Sequence, residues 1–223
     1  MGQDTAARLL ALGAATLGET GGLPCDPRLR AAWQGARVAA PACTAACPDG
    51  DNLALHVAVT VASPGSVLVG RASGDLGNWG EVLTTGALAR GLVGLVLDGG
   101  VRDVDSLQQR GFPVFATAIC LPGACKVGPG TVGGEVEVGG VLVRQGDWIV
   151  ADADGVVVVP AARMEEVLAA GTARAAAEAR LFTELDAGAT TVDLLGLDPA
   201  AIEVLVPVTA AVDGDGLSPG ARP

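Results

Sequence analysis

Two clusters of charged residues set among glycines carry the chemistry open to this chain. The denser is Leu97-Asp98-Gly99-Gly100-Val101-Arg102-Asp103, where an apolar run gives way to glycines and then a charged pair. Glycines at such a junction let a ligand approach the backbone. Arg102 offers a planar, permanently charged fork for a carboxylate, and Asp103 a hard oxygen ligand of the kind Mg2+ or Mn2+ prefers. Read this way, the pair makes an anion-plus-metal site. These residues alone leave an alternative open, in which Asp103 caps a following helix and Arg102 forms a surface ion pair. The second cluster is Gly77-Asn78-Trp79-Gly80-Glu81-Val82-Leu83. With Asn78 as N-cap, the free amides of the first helical turn, around Glu81 to Leu83, point outward and can bind a carboxylate with help from the helix dipole. Glu81 then sits at the third helical position, where a capping box with Asn78 is the competing explanation.

The elements that must position these clusters follow from the apolar pattern. From Ser66 onward the sequence predicts a strand at Val67–Val69, a helix over Asn78–Ala89, a strand at Val93–Leu97, a helix over Val104–Gln109 and a strand at Val114–Ala116. Strands and helices alternating at this interval imply a parallel sheet with crossover connections, which binds ligands at the carboxyl ends of its strands. Both clusters then emerge at one sheet edge. Upstream, Asp4 to about Leu17 reads as a helix ending near Gly18. Arg37–Ala42 is compatible with a strand, and Asp51–Ala62 with either a helix or a strand. Between Thr131 and Pro160, Val-rich runs separated by Gly-Gly, Gln-Gly-Asp and Asp-Ala-Asp-Gly predict an all-β half. A helix rich in Ala, Glu and Arg is expected from Ala161 to about Asp186. We expect one α/β catalytic domain over residues 1–187 and an extension over 188–223, with Asp213–Pro223 disordered.

Charge and composition exclude several classes of partner. The net charge is -11, and the basic residues are scattered, which disfavours nucleic acid and anionic lipid as partners. An anionic small molecule stays compatible, because one well-placed Arg and a metal outweigh a diffuse background at contact distance. No apolar stretch reaches the roughly 18 residues of a membrane span, and no signal peptide can be drawn through Asp4 and Arg8, so a cytoplasmic location is expected. The five cysteines read as reduced structural thiols.

Glu81, a gap of twenty residues and then Arg102-Asp103 sit in the run WGEVLTTGALARGLVGLVLDGGVRDVDSLQQRGFPVFA. This run resembles the 4-hydroxy-4-methyl-2-oxoglutarate / 4-carboxy-4-hydroxy-2-oxoadipate aldolase family, which includes the regulator of ribonuclease E activity A. The resemblance takes in PDGDNLALH near residue 50, KVGPGTVGGEVEVGGVLVRQGDWIVADADGVVVVP and the terminal helix with Glu178; only the last thirty or so residues fall outside it. It implies a β/β/α swivelling-type fold and a trimer or dimer of trimers with sites between subunits. It further implies that Asp103 holds Mg2+ or Mn2+ and that Arg102 binds the pyruvyl carboxylate and carbonyl. The amides of Gly80, Glu81, Val82 and Leu83 would clamp the substrate, Glu81 would orient a water for proton transfer, and Glu178 would reach a neighbouring subunit's metal through water. The implied reaction is metal-dependent cleavage of a 4-hydroxy-2-oxo diacid to pyruvate and a second carbonyl product, with oxaloacetate decarboxylation alongside.

Asn78 departs from the more apolar residue frequent at its position in that family, which bears on substrate identity. The sole histidine, His56, reads as a packing or hydrogen-bonding residue, and its isolation excludes a histidine-rich zinc site. Lys126 lies in a Gly-rich loop with no visible apolar pocket to activate it for a Schiff base. Two rival readings remain: a protein-binding regulator of a ribonuclease, and a biosynthetic enzyme that uses the same enolate chemistry on another acceptor.

Overall fold

The computed structural model describes residues 2–203 and 205. The chain forms two units, Met1–Glu178 and Ala179–Pro223. In chain order the elements are α1 (Gly2–Glu19), β1 (Leu23–Pro24), β2 (Arg30–Ala31), β3 (Val38–Ala46), α2 (Leu53–Val61), β4 (Val67–Arg71), β5 (Gly77–Trp79) and α3 (Glu81–Ala89). They continue with β6 (Gly94–Val101), α4 (Val104–Gln109), β7 (Val114–Ile119), β8 (Thr131–Val132), β9 (Val136–Val138), β10 (Val141–Val143), β11 (Trp148–Ala151), β12 (Val156–Val159) and α5 (Met164–Asp186). In the second unit, α6 (Thr191–Leu194) begins at Thr190, whose hydroxyl accepts from the Asp193 amide.

The first unit is mixed α/β. Its main sheet runs β1-β12-β11-β3-β4-β6-β7-β2, with β5 beside β6 and β8 beside β3. β3, β4, β6 and β7 are parallel, as the alternating pattern requires, and β11, β12 and β1 continue the sheet antiparallel. β3 joins the two halves. Its residues Val38–Pro41 pair with β11 and Ala42–Ala46 with β4, so one strand serves both regions that the sequence separates by texture. Three apolar clusters fill the layers. One packs α2 and α3 on the parallel strands around Leu55, Leu68, Trp79 and Leu95, a second lies on the opposite face under the β9–β10 hairpin, and the third holds α1 and α5 on β11 and β12.

Several elements differ from expectation for local reasons. The segment 51–62 is helical, with four buried apolar residues on α2. α1 carries a break at Gly13 (φ 78°, ψ 164°), and the Asp152 carboxylate accepts the Ala14 amide at 2.8 Å to restart the helix. Asn78 is not an N-cap. It is fully buried in β5, and its side-chain amide donates to the Ala72 and Leu76 carbonyls, so the helix starts after Gly80 instead. The capping box with Glu81 is therefore absent. β6 runs on to Val101 because Gly99 and Gly100 fit a seam: a Cβ on either would overlap the Ala72 or Leu76 carbonyl oxygen. These glycines accommodate the close approach of the turn between β4 and β5. No helix among the described residues is long and apolar enough to cross a membrane. The stretch expected to be disordered, Asp213–Pro223, lies outside the described residues.

Candidate active site

The site lies at the carboxyl edge of the parallel strands, where β5, β6 and β7 deliver three loops to one place. Trp79 anchors the first. Its ring is fully buried and stacks on Phe112 at a centroid distance of 6.1 Å, while Nε1 donates to the Thr84 hydroxyl at 2.7 Å and so ties β5 to α3. The Arg102 amide donates to the Trp79 carbonyl at 2.8 Å, and the Gly77 amide to the Pro122 carbonyl at 2.8 Å. Both sequence clusters are thereby joined to the segment after β7.

Asp103 is the only non-glycine residue with positive φ among the described residues (φ 58°, ψ 36°). Asp and Asn tolerate that conformation better than other side chains, and strained backbone of this kind concentrates at functional sites. By position Asp103 is the N-cap of α4, yet its side chain does not cap that helix. Its Oδ2 instead accepts the Glu81 amide of α3 at 3.0 Å and lies 3.7 Å from Arg102 Nε. Oδ1 has no partner among the described residues. Gly80 makes this possible: a Cβ there would overlap Asp103 Oδ2. The amides of Val82 and Leu83 in the first turn of α3 have no acceptor among the described residues and are available to an anion.

A cavity of about 250 Å³ opens beside this pair. Of the residues singled out by sequence, Gly80, Val82, Leu83, Arg102 and Asp103 line it; Glu81 and Glu178 do not. The Glu81 carboxylate turns to Arg110 on α4, accepting from Nε at 3.0 Å and Nη2 at 2.7 Å. Arg110, with a lesser contribution from Ser106, holds the Glu81 pKa below the usual carboxylate range. Glu178 pairs with Arg174, one turn earlier on α5, at 2.9 Å.

The cavity is also lined by residues to which the sequence assigned no catalytic role. Asn52, His56 and Lys126 line the same cavity, and His56 and Lys126 are the only histidine and the only lysine of the chain. Asn52 and His56 stand four apart at the start of α2, a spacing that puts two side chains on one helix face. That signal was hidden while a strand over 51–62 stayed open. The Asn52 side-chain amide donates to the Asn78 carbonyl at 2.7 Å. The buried atoms Asn52 Oδ1, Asn78 Oδ1 and His56 Nε2 have no hydrogen-bond partner among the described residues, which is uncommon for buried polar atoms and concentrates unmet demand around one cavity. Burial, aided by the Lys126 charge, pushes the His56 pKa down and keeps the imidazole neutral.

The donor set bears on a metal. Among the described residues no group of three or more His, Cys, Asp or Glu side chains could hold one. A single free carboxylate oxygen on Asp103 fits a hard ion that keeps most of its water or takes oxygens from a substrate, and does not fit an all-protein cage. All five cysteines are free thiols, and burial beside Asp98 and Asp26 pushes the Cys25 pKa up to about 12.

Known proteins share this architecture. Residues 13–158 match the RraA-like (Aldolase/RraA) family model. A Halalkalibacterium halodurans protein, provisionally named a 4-hydroxy-4-methyl-2-oxoglutarate aldolase, is 39% identical over 134 residues, which make up 59% of this chain and 64% of that relative's length. A Burkholderia mallei protein with the same provisional name is 36% identical over 135 residues, 58% of this chain and 79% of its own. Among solved structures, the Streptomyces coelicolor protein RraAS2, described as an unusual member of the RNase ES inhibitor RraA protein family, superposes with a TM-score of 0.70 at 29% identity. The match covers 82% of this chain and 98% of that one. With its family match spanning most of the first unit, and with the fold of a solved relative, this chain belongs to the RraA-like family.

Proposed function

We propose that this chain is a pyruvate-enolate-forming carbon–carbon lyase that cleaves a 4-hydroxy-2-oxo diacid and also decarboxylates oxaloacetate. One observation carries the reading: Arg102, the free carboxylate oxygen of Asp103, the unpaired amides of Val82 and Leu83, and Lys126 border one cavity. The two cations suit a substrate with two carboxylates. The names of the aldolase relatives agree with this class.

The 2-oxo acid end binds Arg102 and the amides of Val82 and Leu83, which pins the carbonyl carbon. Cleavage removes the proton of the 4-hydroxyl and breaks the C3–C4 bond. C4 becomes the second carbonyl, and the bonding pair passes into the pyruvate enolate, which takes a proton at C3. Arg102 meets the charge that grows on the enolate oxygen, so its contribution is larger in the transition state than in the ground state. Mg2+ or Mn2+ on Asp103 would supply further Lewis-acid stabilisation at that oxygen. Glu81 is assigned the proton of the 4-hydroxyl, through water; its bond to Arg110 keeps it ionised and hence an acceptor. Loss of carbon dioxide from oxaloacetate gives the same enolate with no hydroxyl proton to remove. We further infer a homotrimer or its doubled form, in which a neighbour covers the exposed apolar side chains Val82, Ile119, Leu121 and Val127 beside the site.

Pyruvate release from a panel of 2-oxo acids, with and without Mg2+ or Mn2+ and after chelation, tests the reading. No release from any of them removes it. The likeness to RraAS2 favours a second reading, a ribonuclease-binding regulator. Inhibition of ribonuclease E by this protein with no pyruvate release would establish that one.

A further inference from the structure

One buried carboxylate ties together two segments that line the cavity, the start of α2 and the loop that carries Lys126. Asp51 precedes α2 and is 3% exposed. Its Oδ1 accepts the Leu53 amide, the first of α2, at 2.7 Å, and its Oδ2 accepts the amides of Val127 at 2.6 Å and Gly128 at 2.9 Å. Backbone bonds reinforce the seam: the Cys125 amide donates to the Gly50 carbonyl at 2.9 Å, and the Asn52 amide to the Cys125 carbonyl at 2.9 Å. Lys126 lies between these anchors.

The loop has little else to hold it. Within one chain the Val127 side chain is 86% exposed, and among the described residues the Lys126 ammonium hydrogen-bonds only the Ala124 carbonyl, at 3.2 Å. Surface segments with few apolar contacts open easily unless their backbone is bonded. A buried carboxylate with no ion-pair partner is costly unless amides satisfy it, and here three do, two of them from the loop. Those amides hold the Asp51 pKa below the usual range, Leu53 contributing most, so the acceptor stays charged at neutral pH.

We infer that Asp51 is a positioning residue: its Oδ2 fixes the Lys126 loop over the cavity and so presents the chain's only lysine to the far carboxylate of the substrate. The substrate half of this inference rests on the proposed lyase reading; the loop half does not. The two oxygens have separable duties. Asp51→Ser keeps an acceptor for the Leu53 amide but cannot also reach the loop, while Asp51→Asn preserves volume and replaces one acceptor by a donor.

The test has two arms on the full chain. In the first, hydrogen exchange at the Gly128 amide of the substrate-free protein is compared between wild type and Asp51→Ser, with α2 amides as the internal control. Exchange at Gly128 about tenfold faster or more, with α2 unchanged, is expected. In the second, Asp51→Ser, Lys126→Met and the double variant are assayed on oxaloacetate. Each single variant should raise KM about tenfold with kcat within about threefold, and the double variant should match Lys126→Met alone. Unchanged exchange at Gly128, or a double variant whose losses multiply to about a hundredfold, overturns the inference. If Asp51→Ser does not fold, Asp51→Asn carries both arms. If wild type releases no pyruvate from any 2-oxo acid, the lyase reading fails, and the exchange arm still decides whether Asp51 holds the loop.

Discussion

The Asp103 carboxylate accepts the Glu81 backbone amide at 3.0 Å across 22 residues of sequence, so an aspartate at the start of one helix caps the helix of the neighbouring strand. This cross-cap fixes the end of α3, and with it the amides of Val82 and Leu83, relative to Arg102. It also occupies only one carboxylate oxygen, which leaves the other for a ligand.

Arg102 serves the pyruvyl group common to both proposed reactions. Arg102→Ala should therefore reduce aldol cleavage and oxaloacetate decarboxylation alike, by roughly a hundredfold or more, the loss expected for about 3 kcal/mol of transition-state stabilisation. Steady-state rates on both substrates measure it. A loss confined to one substrate would contradict a shared enolate.

Asp103 separates fold from chemistry. Asn tolerates positive φ and can accept the Glu81 amide, so Asp103→Asn should melt within about 2 °C of wild type while losing metal-dependent turnover. Calorimetry and pyruvate release together decide this. Full turnover in chelator-treated wild type would show that no metal on Asp103 is required.

Gly80 offers a purely steric test, because its φ of -161° is extended backbone open to any residue. Gly80→Ala drives a methyl group into Asp103 Oδ2 and should cost about 1–3 kcal/mol of stability, as overpacking does, with a larger proportional loss of activity. Activity equal to wild type would detach Asp103 from catalysis.

Glu81 is needed for the hydroxyl proton that oxaloacetate lacks. In a folded Glu81→Gln protein, aldol cleavage should fall by about tenfold or more beyond any loss in decarboxylation. Equal losses on the two substrates would refute the proton role and leave Arg102 untouched.

His56 gives a pH signature. Its folded pKa lies below the ordinary histidine value of 6.5, chiefly through burial, so the unfolded chain binds the proton more readily. Stability should be full above that ordinary value and decline as pH falls through the folded pKa. Urea unfolding at neutral and mildly acidic pH should show a loss in wild type that is smaller in His56→Gln; identical pH dependence in both would exclude His56 as its source.

Local pattern in the sequence was enough for the parallel strands, the crossover helices, the Val-rich half and the Arg102-Asp103 junction. Strand burial, turn glycines and a charged pair after an apolar run are short-range signals. Side-chain direction was not legible. Asn78 looked like an N-cap, but two carbonyls contributed by the turn after β4 claim its amide and move the helix start past Gly80. Gly99 and Gly100 looked like room for a ligand, but where their side chains would stand, tertiary packing places the Ala72 and Leu76 carbonyls of the turn after β4. Glu81 looked like part of the cavity until α4 brought Arg110 to it. His56 and Lys126, seventy residues apart, line one cavity with Arg102, where the Asp51 carboxylate and the backbone of Gly50 and Asn52 bond the 125–128 loop to the start of α2. Sequence by itself determined which residue types could do chemistry and which sheet edge would carry them, because both depend on local periodicity. Which side chains face one cavity was decided by the tertiary structure, because hydrogen bonds between segments distant in the chain set those directions.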